Sequence, residues 1–262
     1  MNRVPLEDYL ERAMQTPDSA VIDAIDRGPI DRSEALDRDA VDRLLDPQPL
    51  PCETGWCMLP DGVGYVAVRT EMPSVTGEMI DWWFDWHPRE ALRYRIWHPK
   101  AHLDNSLQTP KISKQKAHWG AVHHPVEDVG VGVVKARISF LSPSEMGMSI
   151  DALQSPSVAT VICGYAGDDT RRVRHTPMFH VFLREDDGVV LRSRFWLGGA
   201  LQPYGMLARP GALLLNRPWV RRIALPAGLP KSLAMHCAEE YANLGTLLPE
   251  LYQRFGTDQQ WG

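Results

Sequence analysis

Residues 131–141, VGVVKARISFL, decide the fold class, because apolar and polar side chains alternate along them. In an extended chain one set lies on one face and the other set on the opposite face. A strand with one apolar and one polar face is typical of an antiparallel sheet that is covered on one side. The two sets are Val134, Ala136, Ile138 and Phe140 against Lys135, Arg137 and Ser139.

Similar strand-like runs recur on both sides of this stretch. They cover residues 63–70, 92–97, 158–165, 178–183 and 189–197. The run EDDG at 185–188 predicts a hairpin turn between the last two of them. Glycine-rich nucleotide-binding motifs, GxSxG and HExxH are all absent from the sequence. The pattern predicts an α+β protein and not a doubly wound one.

Two helices are predicted beside these strands. One covers residues 77–86, with Thr76 as its N-cap. The other begins near Pro230 and runs towards Arg254, with a kink expected at Pro249. The predicted plan is an antiparallel sheet closed by a long C-terminal helix.

The first 46 residues differ from the rest in being rich in charge. Apolar residues recur there at helical spacing, from Leu6 to Ala13 and from Ala35 to Leu45. The following DPQPLP at 46–51 is typical of a helix stop and a linker. We therefore predict an N-terminal helical appendage over 1–46 and a main domain over 50–262. The apolar stripes of the appendage need a partner, either the main domain or a second subunit.

The charge and cysteine content exclude several function classes. The 262 residues carry a net charge of −5, which offers no basic surface to nucleic acid or to a membrane. The four cysteines form no CxxC pair, and no apolar run is long enough for a membrane span. The N-terminus has acidic residues where a signal peptide would be apolar. We expect a soluble, reduced, cytoplasmic protein.

Histidine and tryptophan are concentrated in one stretch. Six of the nine histidines and five of the nine tryptophans fall between residues 82 and 124. An aromatic core would explain the concentration, and so would a functional site, since histidine is a common metal ligand and proton carrier.

The predicted C-terminal helix contains the clearest site pattern. His236 and Glu240 are four residues apart, so they project from one helix face, and Asn243 continues that polar stripe. Apolar neighbours flank the stripe, where a divalent cation could pair with the imidazole and the carboxylate. A solvent-exposed His–Glu pair would give the same spacing.

Two further clusters of candidate ligands lie in predicted loops or strand ends. One contains His98, His102, Asp104 and Asn105, and the other extends from His118 to Asp128 and includes Glu127. Two histidines with one or two carboxylates would form a catalytic-type zinc site that keeps an open position. The lack of a cysteine pair argues against a structural zinc site.

Three separated elements together resemble the 2,4-diacetylphloroglucinol hydrolase and phloretin hydrolase family. They are WWFDWHPREALRYRIWHPKAHLDN at 82–105, VEDVG at 126–130 and HCAEEYANL at 236–244. The resemblance implies a zinc-dependent hydrolase that cleaves the carbon–carbon bond between an acyl group and a phloroglucinol-type ring. It also implies a helix-grip (START/Bet-v-1-like) domain and a helical N-terminal part that helps to form a homodimer.

The same resemblance assigns roles to residues of this chain. The implied zinc ligands are His102, Glu127, His236 and Glu240. Tyr94 and Asn105 match residues that bind the phenolic and carbonyl oxygens of the substrate, and His180 matches a pocket histidine, so these three are the candidate catalytic and substrate-binding residues. A substrate-binding tyrosine of the family would fall near Phe195, where this chain has no hydroxyl.

Two other functions stay open at this level. One is a helix-grip carrier that binds a hydrophobic or aromatic ligand without chemistry, and the other is a metal enzyme with different polyketide chemistry, since two histidines and a carboxylate also hold iron(II). Trp83, Trp86, Phe179 and Phe182 are candidate flat walls for an aromatic ring. His87, His98 and His118 are expected either to pack or to orient the ligands.

Overall fold

The structure is a computed structural model, and it describes residues 5–108, 115–204, 216–226 and 228–256. Its α-helices are α1 (Ser19–Asp26), α2 (Gly77–Trp86), α3 (Ala91–Trp97), α4 (Ile150–Leu153), α5 (Pro218–Ala224) and α6 (Leu229–Phe255). Short 3₁₀ helices cover Leu6–Tyr9, Arg32–Glu34, Arg38–Leu45 and His87–Arg89. No helix in the described ranges combines the length and the apolar character that a membrane span requires.

The strands form one antiparallel system. They are β1 (Gly55–Met58), β2 (Gly64–Pro73), β3 (His102–Asp104), β4 (Leu107–Gln108), β5 (Val122–His123), β6 (Val126–Asp128), β7 (Val133–Leu141), β8 (Val158–Asp168), β9 (Val173–Glu185), β10 (Gly188–Leu197) and β11 (Gln202–Pro203). The main order is β1-β2-β10-β9-β8-β7-β5-β4, with β11 beside β9 and β3-β6 beside β7. The predicted α+β class with an antiparallel sheet is confirmed.

The sheet has two buried faces, not the single covered face that the alternation along residues 131–141 predicts, because the N-terminal segment packs on the other side. The front face includes Val66, Val68 and Leu191, and packs in one core with Tyr241 and Leu244 of α6. The back face includes residues of the same strands that alternate with these: Tyr65, Ala67, Phe179, Val181 and Trp196. The long C-terminal helix thus closes the front face, as the sequence predicts for a helix-grip fold.

The N-terminal segment packs on both faces. Tyr9 and Ile25 belong to the front core, whereas Leu36 and Leu44 belong to the back core. Most of the apolar periodicity forms 3₁₀ turns, and the one α-helix of this segment is α1. Trp196 of β10 donates an indole hydrogen bond to the Leu36 carbonyl (3.1 Å), which fixes the segment to the sheet.

The predicted strand over residues 92–97 is wrong, because these residues form helix α3. The apolar positions of so short a run fit the period of two of a strand and the period of 3.6 of a helix almost equally well. The sequence pattern alone therefore does not distinguish a strand from a helix here. In the helix, Tyr94 and Trp97 are three residues apart and lie on one buried side. This side carries Tyr94 towards the candidate site.

The other predicted elements are present. Thr76 caps α2 through a hydrogen bond from the Met79 amide to its hydroxyl (3.3 Å). The hairpin between β9 and β10 turns at residues 186–187, and Gly188 follows with φ +146°. A Cβ there would lie 2.4 Å from the Met72 carbonyl oxygen, so the close approach of β2 requires glycine.

Candidate metal centre and cavity

His102 and Glu127 are brought together by strand pairing. Their Cα atoms are partners in the antiparallel ladder of β3 and β6. The Nδ1 atom of His102 hydrogen-bonds to the Tyr94 carbonyl (3.0 Å), so this nitrogen donates and Nε2 stays free as a lone-pair ligand. The buried Nε2 atom has no hydrogen-bond partner among the described residues.

His236 and Glu240 reach the same point from helix α6. Both are buried, and they lie on one helix face, one turn apart. The Glu240 Oε2 atom lies 3.6 Å from His102 Nε2 and 4.0 Å from His236 Nε2. The spacing read from the sequence therefore corresponds to a buried pair and not to a solvent-exposed one.

All four predicted ligands meet in one cluster. Possible ligand atoms of His102, His236 and Glu240 lie within 4.8 Å of one another. The Glu127 Oε2 atom lies 3.6 Å from His102 Nε2 and 3.8 Å from His236 Nε2. The Tyr94 hydroxyl donates a short hydrogen bond to that same Glu127 oxygen. We call His102, Glu127, His236 and Glu240 the four-residue cluster.

Among the described residues, no lysine or arginine neutralises the carboxylates of this cluster. Burial raises the pKa of Glu240 well above its ordinary value, and the Glu127 carboxylate raises it further. Burial also raises the pKa of Glu127. In the described part of the chain, neither carboxylate forms an ion pair with lysine or arginine.

The histidines of the cluster are suited to be neutral ligands. Burial holds the pKa of His102 well below its ordinary value, and burial together with the His98 imidazole lowers the pKa of His236 to about 3. Unprotonated imidazoles and buried carboxylates without a counter-ion form a donor set that fits a divalent cation.

Neighbouring side chains hold the cluster in place. The His98 ring stacks on the His236 ring, with centroids 5.0 Å apart, and its Nε2 atom lies 3.2 Å from Glu239 Oε2. His98 therefore contacts a candidate ligand. Asn243 does not join the cluster: its amide nitrogen donates to the Trp97 carbonyl (2.9 Å) and ties α6 to α3.

A cavity of about 540 Å³ opens between the sheet and helix α6, and Glu127, His236 and Glu240 of the cluster line its wall. The predicted substrate residues Tyr94, Asn105 and His180 all line it. Its aromatic walls are not the predicted Trp83, Trp86, Phe179 and Phe182. They are Phe84, Trp97, Phe140 and Phe195. Phe179 fails as a wall because it lies on the back face of the sheet.

His180 lies on β9 and faces the cavity. Its Nδ1 atom hydrogen-bonds to the Ser193 hydroxyl of β10 (2.8 Å). Burial lowers the pKa of His180 to about 3, so the imidazole is neutral at ordinary pH. A neutral imidazole can accept or donate a proton in a buried cavity.

Among the polar residues that line the cavity, sequence reasoning gave no substrate role to Tyr241, His87 and His123. The Tyr241 hydroxyl is buried without a partner among the described residues, and its ring lies 5.0 Å from that of His180. Its position directly after Glu240 was the available signal, but the face it occupies depends on the packing of α6. The histidines were read as packing or orienting residues because their neighbours are aromatic.

The fold and the site together define a class of protein. In this class an antiparallel sheet packs against a long helix, and a histidine–carboxylate cluster lies beside an apolar cavity. Within that class, the model of the DAPG hydrolase PhiG domain matches residues 36–253. This chain belongs to the DAPG hydrolase family.

Relatives support the assignment over most of the chain. The chain is 31% identical to the 2,4-diacetylphloroglucinol hydrolase of Pseudomonas protegens over 267 residues, covering 97% of this chain and 85% of that protein. It is 30% identical to the phloretin hydrolase of Eubacterium ramulus over 205 residues, covering 76% of this chain and 70% of that protein. The solved Zhui aromatase/cyclase of Streptomyces covers 76% of this chain and 98% of its own, at 12% identity and a TM-score of 0.35, which is too low to carry a conclusion.

Proposed function

We propose that this protein is a zinc-dependent hydrolase that cleaves the carbon–carbon bond between an acyl group and a phloroglucinol-type ring. The observation that carries the proposal is the four-residue cluster, whose carboxylates have no lysine or arginine partner among the described residues. Three of its members line a cavity of about 540 Å³ with aromatic sides. Family membership supports the reaction, because the relatives are named as hydrolases of diacetylphloroglucinol and phloretin.

The donor set fits zinc. His102 and His236 offer nitrogen ligands, and Glu127 and Glu240 offer oxygen ligands, all of which zinc accepts. Zinc, when bound, lowers the pKa of water to about 7 and polarises a carbonyl oxygen. The stacked His98 ring and the His102–Tyr94 hydrogen bond keep the two imidazoles oriented for this role.

The chain's own residues bind the ring and move its proton. In the overall reaction water supplies a hydroxyl to the acyl carbon and a proton to the ring carbon, so a carboxylic acid and a deacylated ring are released. Such a ring can leave because its keto tautomer turns the ketone into a β-diketone. In this reaction Tyr94 and Asn105 hold ring and carbonyl oxygens, and the neutral His180 imidazole carries the proton. The position of all three residues in the cavity lining supports these roles.

Mass spectrometry of acylated phloroglucinols incubated with the zinc-loaded protein tests the proposal. We expect release of a carboxylic acid and the deacylated ring, and loss of hydrolysis when a chelator removes the metal. Elemental analysis should find one zinc per chain. Binding without product would favour a carrier, oxidised or cyclised products would favour other metal chemistry, and undiminished hydrolysis without metal would exclude the zinc role.

We further propose a homodimer in the cytoplasm, with residues 1–46 contributing to the subunit contact and 50–262 forming the catalytic domain. Light scattering on the purified chain measures the dimer. A monomeric mass at micromolar concentration would contradict it.

A further inference from the structure

Besides Glu127, His236 and Glu240, the cavity is lined by side chains whose polar atoms have no partner in the described part of the chain. The Nε2 atom of His123 and both amide atoms of Asn105 are buried without a hydrogen bond among the described residues. Both residues line the cavity, yet each is at most 5% exposed. Buried polar atoms normally have a partner, so a ligand or water that pairs with them is expected here.

His87 adds a defined acceptor to this region. Its Nδ1 atom donates to the Trp83 carbonyl (2.7 Å), because a carbonyl oxygen can only accept. Burial lowers the pKa of His87 to about 3, so the ring is neutral and its Nε2 atom carries a lone pair. The His87 ring lines the cavity, with its centroid 5.4 Å from that of His123 and 6.0 Å from that of Tyr94.

Strand pairing joins Asn105 to the two histidines. Leu107 of β4 is the partner of His123 in β5, and the His124 amide donates to the Ser106 carbonyl (2.9 Å). Asn105 comes two residues before Leu107, so this short ladder brings its segment close to His123. Both side chains line the cavity.

Unpartnered nitrogens alone do not indicate a site. His118 is buried nearby with two such nitrogens, but it does not line the cavity. His87, Asn105 and His123 differ in facing the cavity between two aromatic rings. Phe140 lies 4.5 Å from His123 and Phe84 lies 5.4 Å from His87, measured between ring centroids. Such walls favour a flat aromatic ligand.

We propose that His87 and His123, beside Asn105, form a subsite for a ring hydroxyl of the substrate. A hydroxyl donates one hydrogen bond and accepts others, which matches an imidazole acceptor beside an amide donor. The subsite selects rings with three hydroxyl groups over rings with two. It rests on the proposed function, since it assigns a further specificity contact to the same cavity.

Binding of two deacylated rings tests the subsite without hydrolysis. The probes are 1,3,5-trihydroxybenzene and 1,3-dihydroxybenzene, titrated calorimetrically into the full chain. We expect wild-type protein to prefer the trihydroxy ring by about 10-fold or more, since one hydrogen bond in a buried site has this effect. His123→Phe should reduce the preference to about twofold or less, because it keeps the flat ring and removes both nitrogens.

His118→Phe is the matched control, because it makes the same substitution at a buried histidine outside the cavity lining. It should keep the wild-type preference. His123→Gln, which keeps a polar side chain, replaces the phenylalanine variant if that variant does not fold, and should retain part of the preference.

The outcomes separate the subsite from the proposed function. Equal binding of the two rings by wild type, absence of binding, or an unchanged preference in His123→Phe would overturn the subsite. Selective binding that His123→Phe abolishes supports it. If the same protein hydrolyses no acylated ring, the proposed function fails and the subsite stands.

Discussion

The two faces of the sheet both bury charged side chains, but they neutralise them differently. On the back face, Arg192 and Arg194 are buried, and Glu53 lies 2.8 Å from the first guanidinium and 3.5 Å from the second. Main-chain carbonyls of Gln48 and Cys52 accept further hydrogen bonds from them. These charges fix the N-terminal segment to the sheet.

On the front face, Glu127 and Glu240 have no such counterpart. Only histidines lie within ion-pair distance among the described residues, and burial lowers the pKa of those histidines. The contrast distinguishes two uses of buried charge. A buried charged group with an oppositely charged side chain beside it stabilises the fold. A buried charged group without such a partner can bind a ligand, but it lowers the stability of the protein.

Removing one front-face carboxylate should have the largest effect on activity. Glu240→Gln takes an anionic ligand from the four-residue cluster, so we expect loss of the bound zinc. We expect kcat/KM to fall about 1,000-fold or more, because a catalytic metal supplies several kcal/mol of transition-state stabilisation. Metal analysis and hydrolysis assays measure the two effects.

Glu250→Gln is the control on the same helix. Glu250 pairs with Arg12 (2.7 Å) at the surface and is remote from the cluster in sequence by more than two helical turns. It should keep metal and activity. An active, zinc-containing Glu240→Gln protein would contradict the assignment of Glu240 as a ligand.

Removing the back-face carboxylate should instead act on stability. Glu53→Gln leaves two buried guanidinium groups without their anion, so the free energy of unfolding should fall by about 3 kcal/mol. The folded protein should keep its metal content. Urea unfolding measures the first quantity and elemental analysis the second.

Glu71→Gln provides a matched comparison, since Glu71 pairs with Arg69 at 2.8 Å but is 71% exposed. Exposed pairs contribute little, so its unfolding free energy should change by less than about 1 kcal/mol. Equal losses in the two variants would show that burial does not distinguish these ion pairs.

His118 is a buried histidine that belongs neither to the four-residue cluster nor to the cavity lining. Burial, together with the Lys116 charge, lowers the pKa of His118 from 6.5 to about 3. Between these values the unfolded chain binds more protons than the folded one. This contribution to the free energy of unfolding therefore falls as pH falls below 6.5, by up to about 1.4 kcal/mol per pH unit.

His118→Phe removes that proton difference. Urea unfolding at about pH 7.5 and about pH 5.5 should show a smaller acid destabilisation in the variant, by about 1 kcal/mol. The variant's stability at the higher pH serves as its own reference. The same loss of stability in both proteins would mean that His118 is not buried as a neutral group.

The sequence predicts local features of this molecule better than it predicts their partners. The alternation along residues 133–141 and the spacing of His236 and Glu240 follow from the geometry of one element, and both occur in the structure. The pairing of His102 with Glu127 depends on the register of β3 against β6, which no local pattern contains.

Local sequence patterns also do not predict which side chains are buried. Arg192 and Arg194 alternate with apolar residues as on a solvent-facing strand side, yet the N-terminal segment covers them. Residues 92–97 were assigned to a strand because a short apolar run fits both periods. In each case the answer depends on packing between segments distant in the sequence.

A smaller effect on activity than at Glu240 is expected at Ser193, which lies between the two back-face arginines and hydrogen-bonds to a residue of the front-side cavity. Its hydroxyl hydrogen-bonds to His180 Nδ1 (2.8 Å). Ser193→Ala should lower the free energy of unfolding by about 1 kcal/mol and kcat/KM by about tenfold, because His180 loses the contact that orients it. Ser193→Thr keeps a hydroxyl and should retain more activity than the alanine variant. If the two variants are equally active while equally folded, the hydrogen bond does not position His180, and the front face then holds this histidine by ring packing on Phe195 and Tyr241 alone.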